Sequence, residues 1–234
     1  MHEDAGGLLI ATGVAAAPFN QVHCRATASA AGIEKAASFF GEHGLPWRIV
    51  CEAPDPQASS YAGQRGVIRE PLYPIMSLDL TSQNVRMPDQ SRLRVSVAQS
   101  VDDVREFIEC AGASFGHDPD LIEAMCRPAT IADDDFRLHL GRVDGRCVAI
   151  SVGVDVREQG TVGVYFVGVR PEARGLGYGR AVTEQVVAGG VARGARTAVL
   201  QATPAGYPVY VKMGFAQVGD YHLWDFPAAP AIPG

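Results

Sequence analysis

The hydrophobic pattern changes period several times along the chain, and each change marks an element. Leu93-Arg-Val-Ser-Val97 alternates apolar and polar residues, as a strand with one buried face does. Phe136–Val143 and Cys147–Val156 are apolar runs on either side of Asp144-Gly145, a pair suited to a tight hairpin turn. Glu158-Gln-Gly160 turns the chain again into a third run, Thr161–Val169. Between the first strand and the hairpin, Ser100 suits an N-cap with Asp103 three residues later, which predicts a helix to about Ser114. Pro119 opens a second short helix that ends near Cys126.

Helical spacing returns after the third apolar run. From Leu176 to about Ala192, Leu176, Gly179/Arg180, Thr183, Val186/Val187 and Gly190 fall near one side, small enough to pack on a sheet. Valine and glycine lower the intrinsic helicity here, so packing must hold this helix. Thr197–Gln201 reads as a strand, and Pro208 starts a short helix that contains Tyr210. Phe215–Val218 and Tyr221–Phe226 read as two strands joined at Gly219-Asp220, before a Pro- and Ala-rich tail from Pro227. The order is strand, two helices, three strands, helix, strand, helix and two strands.

The first ninety residues are shorter in pattern. Leu8–Val14 and Gln21–Arg25 read as strands, Ile33–His43 as a helix, Trp47–Cys51 as a strand and Ser59–Gln64 as a helix. Ile75–Leu80 closes this part as a strand. The polar stretch 84–92, with Pro88, places a boundary near residue 90, dividing the chain into 1–90 and 91–234.

Composition narrows the class. The chain has 234 residues, 47% hydrophobic and 20% charged, room for one large domain or two small ones. Basic residues number 20 against 26 acidic ones, a net charge of −6 that gives no nucleic-acid footprint. The five cysteines, Cys24, Cys51, Cys110, Cys126 and Cys147, are odd in number and lack Cys-x-x-Cys spacing. That argues against a disulfide framework and a four-cysteine zinc site, and no metal is expected. Leu8–Phe19 is short and preceded by acidic residues, unlike a secretory signal, and no apolar run reaches membrane-spanning length. The default expectation is a cytoplasmic protein.

The most informative stretch is Val169-Arg-Pro-Glu-Ala-Arg-Gly-Leu-Gly-Tyr-Gly179, which joins a strand to a helix. Such a turn exposes neighbouring backbone N–H groups beside the positive end of the helix, an arrangement that accepts phosphate. The order lacks the Gly-Lys-Ser/Thr of a nucleotide-triphosphate loop, and its glycines are spaced Gly-x-Gly-x-Gly rather than Gly-x-Gly-x-x-Gly. Spacing alone leaves two readings, a plain turn or an anion cradle.

The segment resembles the acyl-coenzyme A (acyl-CoA) loop of the GCN5-related N-acetyltransferase (GNAT) superfamily, Gln/Arg-x-x-Gly-x-Gly/Ala. Arg174, Gly177 and Gly179 fill its named positions. Tyr210-Val-Lys-Met-Gly214-Phe215 resembles the superfamily's later Tyr-x-x-x-Gly-Phe element, and the resemblance covers roughly residues 92–227. It implies a mixed α/β fold of the acyl-CoA N-acyltransferase type. That fold has a mainly antiparallel central sheet flanked by helices, here with a smaller N-terminal α/β part. It also implies acetyl-CoA as cosubstrate, bound by Val167, Val169, Arg174, Gly175, Leu176, Gly177, Tyr178 and Gly179. Arg174 either contacts phosphate or faces solvent. Tyr210 would be the acid that protonates the leaving thiolate. The acceptor would be an amine of a small molecule or a protein, with no nucleic acid or membrane partner. Monomer and homodimer both stay open. A noncatalytic acyl-CoA-binding module is the alternative.

No general base stands out. Glu123, His117, Asp155 and Tyr165 are weak candidates, and His139 on an alternating strand reads as structural. The first part echoes the second: Gly66-Val67 would answer Gly214-Phe215, Ala62 would take the place of Tyr210 with Tyr61 one residue off and still open, and Tyr73–Asp79 would loosely answer Tyr221–Asp225. Thr27–Gly32, with one glycine, would replace the Gly-rich loop. The first part would then be a degenerate or truncated acetyltransferase-like half with a structural role.

Overall fold

A computed structural model describes residues 2–4, 7–24, 28–70, 72–81, 92–116, 119–123, 126 and 131–228. In chain order the elements are β1 (His2–Asp4), β2 (Gly7–Ala11), β3 (Asn20–Cys24), α1 (Ala30–Glu42), β4 (Trp47–Cys51), α2 (Pro56–Gly63), β5 (Tyr73–Asp79) and β6 (Arg94–Val97). Then follow α3 (Val101–Phe115), α4 (Pro119–Glu123), β7 (Phe136–Val143), β8 (Arg146–Val156), β9 (Thr161–Val169), α5 (Tyr178–Ala192), β10 (Thr197–Gln201), α6 (Tyr207–Lys212) and β11 (Ala216–Phe226). The chain divides into two compact units, residues 1–75 with 218–234, and residues 76–217.

In the first unit the strands run β1-β2-β3-β4-β11, antiparallel except for the β3–β4 pair. Trp47 lies stacked near both Phe226, at 4.4 Å, and Phe40 of α1, at 5.6 Å. Such pairs add about 0.5–1.5 kcal/mol each to the burial of the rings. Arg48 grips Asp225 with two hydrogen bonds, Nη2 donating to Oδ2 at 2.7 Å.

These contacts correct two expectations. Gly219-Asp220 is no turn: β11 continues through it, and neither residue takes the positive φ of a tight hairpin. The division also departs from residue 90, itself in a stretch (82–91) outside the described residues. Met76, Leu78 and Leu80 pack into the core of the second unit, while His222–Phe226 pair with Cys51–Trp47 in the first. A strand's hydrophobic pattern shows that it is buried, but not in which sheet.

In the second unit the order is β5-β10-β9-β8-β7-β6. Pairing is antiparallel from β6 to β9 and parallel between β9 and β10, a mixed and mostly antiparallel sheet flanked by helices. Asp144 (φ 49°) and Gly145 (φ 81°) make the β7–β8 hairpin turn. Ser100 and Asp103 form a reciprocal capping box at the start of α3. Along β8, Ile150 and Val152 face α3, whereas Ser151 and Gly153 face α5. The close approach of α5 needs Gly190, because a Cβ there would meet Val162 at 2.6 Å.

Candidate active site

The site begins with a break in the sheet. Phe166 has φ 54°, an unusual conformation for a bulky residue, and the β8–β9 register shifts there from Val152↔Tyr165 to Ile150↔Gly168. β10 pairs with β9 only from Thr197↔Thr161 to Leu200↔Val164. Residues 166–169 therefore keep β8 as a neighbour, with no β10 partner among the described residues. The strained residue is braced by Phe115, whose ring meets that of Phe166 edge-on at 4.8 Å. Holding such a conformation costs on the order of 1–3 kcal/mol, which this packing helps to offset.

Beyond β9 a short 3-10 turn, Pro171–Ala173, leads into the Gly-rich loop. Gly175 (φ 77°) and Gly177 (φ 82°) lie in the left-handed region, and Gly177 caps α5 without a side chain. A Cβ at either position would meet nothing within 4 Å, so backbone conformation rather than space demands glycine. Gly179 differs: its φ is not positive, and a Cβ would make an ordinary 3.5 Å contact with Val169. Among the described residues nothing accepts from the backbone N–H groups of residues 175–180; the first bond of α5 is Ala181 N–H to Gly177 O, 3.1 Å. Val167 and Val169 pack with Tyr178 and Ala181 beneath the start of α5, and Leu176 is exposed. Val167, Val169 and residues 175–179 thus lie together at the start of α5.

The Arg174 side chain goes elsewhere. Its Nη2 donates to Ser114 O at 2.8 Å and its Nε to Val169 O at 3.2 Å.

Tyr210 is 8% exposed on α6, where its ring faces that of Phe215. Its phenol lies near Thr183 of α5, whose hydroxyl donates to Gly179 O at 2.9 Å. Burial raises the phenol above its usual pKa, and the Thr183 contact partly offsets the shift. The expected acid and the expected loop are therefore linked through the first turns of α5. Thr183 was not singled out as a site residue from sequence; its position four residues after Gly179, on one helical face, was the available signal.

The other acid–base candidates separate by position. Tyr165 is 39% exposed beside the bulge, with its phenol near Gln201, and desolvation raises its pKa. Its ring occupies the space over Gly163, where a Cβ would lie 2.4 Å from Cε2. Asp155 is held by Arg137 at 2.8 Å and by Arg193 Nη2 at 3.0 Å, which ties β7, β8 and the end of α5 together. His139 is 2% exposed, and neither ring nitrogen has a hydrogen-bond partner among the described residues. Burial, followed by repulsion from Arg193 and Arg137, lowers its pKa to about 4. Glu123 is exposed at the end of α4, and His117 lies outside the described residues. All five cysteines are buried and free, with the thiols of Cys24 and Cys51, and of Cys110 and Cys147, near one another. No cluster of metal-ligating side chains occurs among the described residues. No helix there is long and apolar enough to cross a membrane.

A strand that leaves its neighbour thus lies beside a row of N–H groups with no acceptor among the described residues, and comparison with known proteins gives the family. Residues 102–215 match the model of the acetyltransferase (GNAT) family. The chain contains a GNAT-superfamily acetyltransferase domain. A conserved protein of unknown function from Staphylococcus epidermidis superposes with a TM-score of 0.73 at 11% identity, over 98% of this chain and 94% of its own. A GCN5-related N-acetyltransferase from Kribbella flavida gives 0.65 at 17% identity, over 90% and 82%. A tandem GNAT protein from the clavulanic acid biosynthesis pathway gives 0.60 at 14% identity, over 87% and 69%. At these identities the solved structures speak to fold. No curated protein matches the sequence. The GNAT fold implies an acyl-CoA-type cosubstrate, and the residues present fit one. The unpaired N–H groups of 175–180 suit its pyrophosphate, and the unpaired edge of 166–169 suits an amide-bearing arm.

Proposed function

We propose that the second unit transfers an acetyl group from acetyl-CoA to a primary amine by direct attack. The observation that carries this reading is the split of β9 from β10 after Val164↔Leu200, together with the open N–H row of residues 175–180. The loop Arg174–Gly179 holds the pyrophosphate through its backbone, and the edges of Val167 and Val169 align the pantetheine arm. The amine nitrogen attacks the thioester carbonyl, an N–C bond forms and the C–S bond breaks. The amine gives its surplus proton to water. Tyr210 protonates the departing thiolate, for which a neutral, buried phenol is suited. Bound geometry supplies much of the acceleration by replacing a chance encounter with a fixed one.

The first unit is read as a degenerate acetyltransferase-like half with a structural role. Its run β3–α1–β4–α2 repeats the order β9–α5–β10–α6 without a Gly-rich loop and with Ala62 where Tyr210 would stand.

The test is thiol release from acetyl-CoA across a panel of small amines and peptide amines, paired with calorimetric binding of CoA. Release with at least one amine is expected. Binding without release from any amine would favour a noncatalytic acyl-CoA module, and no binding would reject the cradle.

A further inference from the structure

Arg174 occupies the first named position of the loop, yet its guanidinium points to carbonyls rather than to the open N–H row. Ser114 is the penultimate residue of α3, so its carbonyl is one of the helix's orphan acceptors, at the negative end of the dipole. Arg174 supplies the missing donor, at 2.8 Å, and a compensating positive charge. The same turn of α3 is pressed onto β9 twice more. A Cβ on Gly168 would lie 2.9 Å from Ser114 Cβ and 3.1 Å from the Phe115 ring, and Phe115 braces the strained Phe166. Arg174 also donates to Val169 O at 3.2 Å, at the end of the strand that has left β10. Loop, split strand and helix end thus share one side chain.

We propose that Arg174 is a positioning residue: its side chain clasps the phosphate loop to the last turn of α3 and so fixes the wall beside Phe166. The inference rests on the acyl-CoA reading above. Under it, the phosphate is held by backbone N–H groups, and the guanidinium transmits loop ordering to α3. Filling the cradle should then slow amide exchange at residues 112–116. The Gly116 N–H, bonded to Gly112 O at 2.9 Å, reports directly on that turn.

The full-length protein and its Arg174→Met and Arg174→Lys variants test this. CoA affinity is measured by calorimetry at several salt concentrations, and exchange of residues 112–116 with and without CoA. R174M should bind CoA within about threefold of the parent with the same salt dependence, since no charged hydrogen bond to phosphate is lost. Its exchange at 112–116 should be faster, and the protection induced by CoA should disappear. R174K, which keeps the charge but not the two-pronged reach, should restore only part of that protection.

The proposal is overturned if R174M weakens CoA by about tenfold or more, loses salt dependence and leaves 112–116 unchanged, as a direct phosphate contact would predict. Should R174M fail to fold, R174K decides alone: full protection at 112–116 overturns the clasp, and partial protection with parental affinity supports it. Failure of the parent protein to bind CoA would remove the acyl-CoA reading instead. Parental exchange at 112–116 in ligand-free R174M would then remove the clasp separately.

Discussion

The run β3–α1–β4–α2 in the first unit and β9–α5–β10–α6 in the second are built alike and finished differently. Each first helix ends in the same backbone bond, Leu45 N–H to Phe40 O and Ala195 N–H to Gly190 O, both 2.9 Å. Each second helix ends with Val67 N–H to Ala62 O or Phe215 N–H to Tyr210 O, both 3.0 Å, after a left-handed Gly66 or Gly214. The difference lies at the strand ends. β3 and β4 stay paired to their last residues, Cys24↔Cys51, whose thiols meet, while β9 leaves β10 after Val164↔Leu200.

The links to the first helices differ too. Residues 25–29 join β3 to α1, against residues 170–177 between β9 and α5. In the first unit the buried Asp55 carboxylate accepts from Ala28 N–H and Ala58 N–H, each at 2.8 Å. Thr203 holds the corresponding place in the second unit, accepting from Gly206 N–H, and no side chain among the described residues reaches the loop donors. In the first unit a carboxylate accepts from two backbone donors; in the second the loop donors meet no acceptor among the described residues.

The contrast at Ala62 and Tyr210 should give the largest effect. Tyr210→Phe is expected to lower acetyl-transfer turnover by about 10²-fold or more while CoA affinity stays near the parent value. An unchanged turnover and pH profile would remove the general-acid role.

Acid should separate the units next. His139 of the second unit has no ring partner among the described residues, whereas His23 of the first, its pKa also lowered by burial, bonds Gln21. With a folded pKa of about 4 against an ordinary value of 6.5, His139 takes up its proton more readily once unfolded. Stability is therefore full above about pH 6.5 and falls towards pH 4, by about 3 kcal/mol in all. His139→Leu should flatten this part of the pH–stability curve measured by denaturant melts; an identical slope would show that another group sets it.

Asp55→Ala should destabilise the first unit by about 2 kcal/mol, through loss of a helix cap and exposure of a buried donor. The CoA stoichiometry should remain one per chain. A second equivalent, seen by calorimetry, would break the contrast between a closed and an open repeat.

Gly177→Val should weaken CoA binding by about tenfold, because a β-branched residue resists the left-handed conformation at a cost of roughly 1–2 kcal/mol. Unchanged affinity would remove the loop from the site. At Gly179, where φ is not positive and space is adequate, alanine should be tolerated.

Much of this was legible in sequence because it is local. The capping box at Ser100 and Asp103, the hairpin at Asp144-Gly145 and the strand–loop–helix around Gly177 each depend on neighbours within a few residues. The matching helix ends at Gly66-Val67 and Gly214-Phe215 were legible for the same reason. Gly219-Asp220 misled because its residues favour a turn, yet a long sheet edge can hold them extended. The paired cysteines were invisible because Cys24 meets Cys51, and Cys110 meets Cys147, only after distant segments pack.

The sequence by itself determined the period of each element, the glycines that permit φ near 80° and the phenol after Pro208. These follow from sterics and from backbone donors within a turn of the chain. Only the tertiary structure decided that Phe166 is bent into a bulge by the ring of Phe115. It likewise turned Arg174 onto the carboxyl end of α3, and gave β5 and β11 to different units than chain order implies. Such outcomes depend on which distant surfaces meet, and a local pattern of polar and apolar residues does not encode its partner.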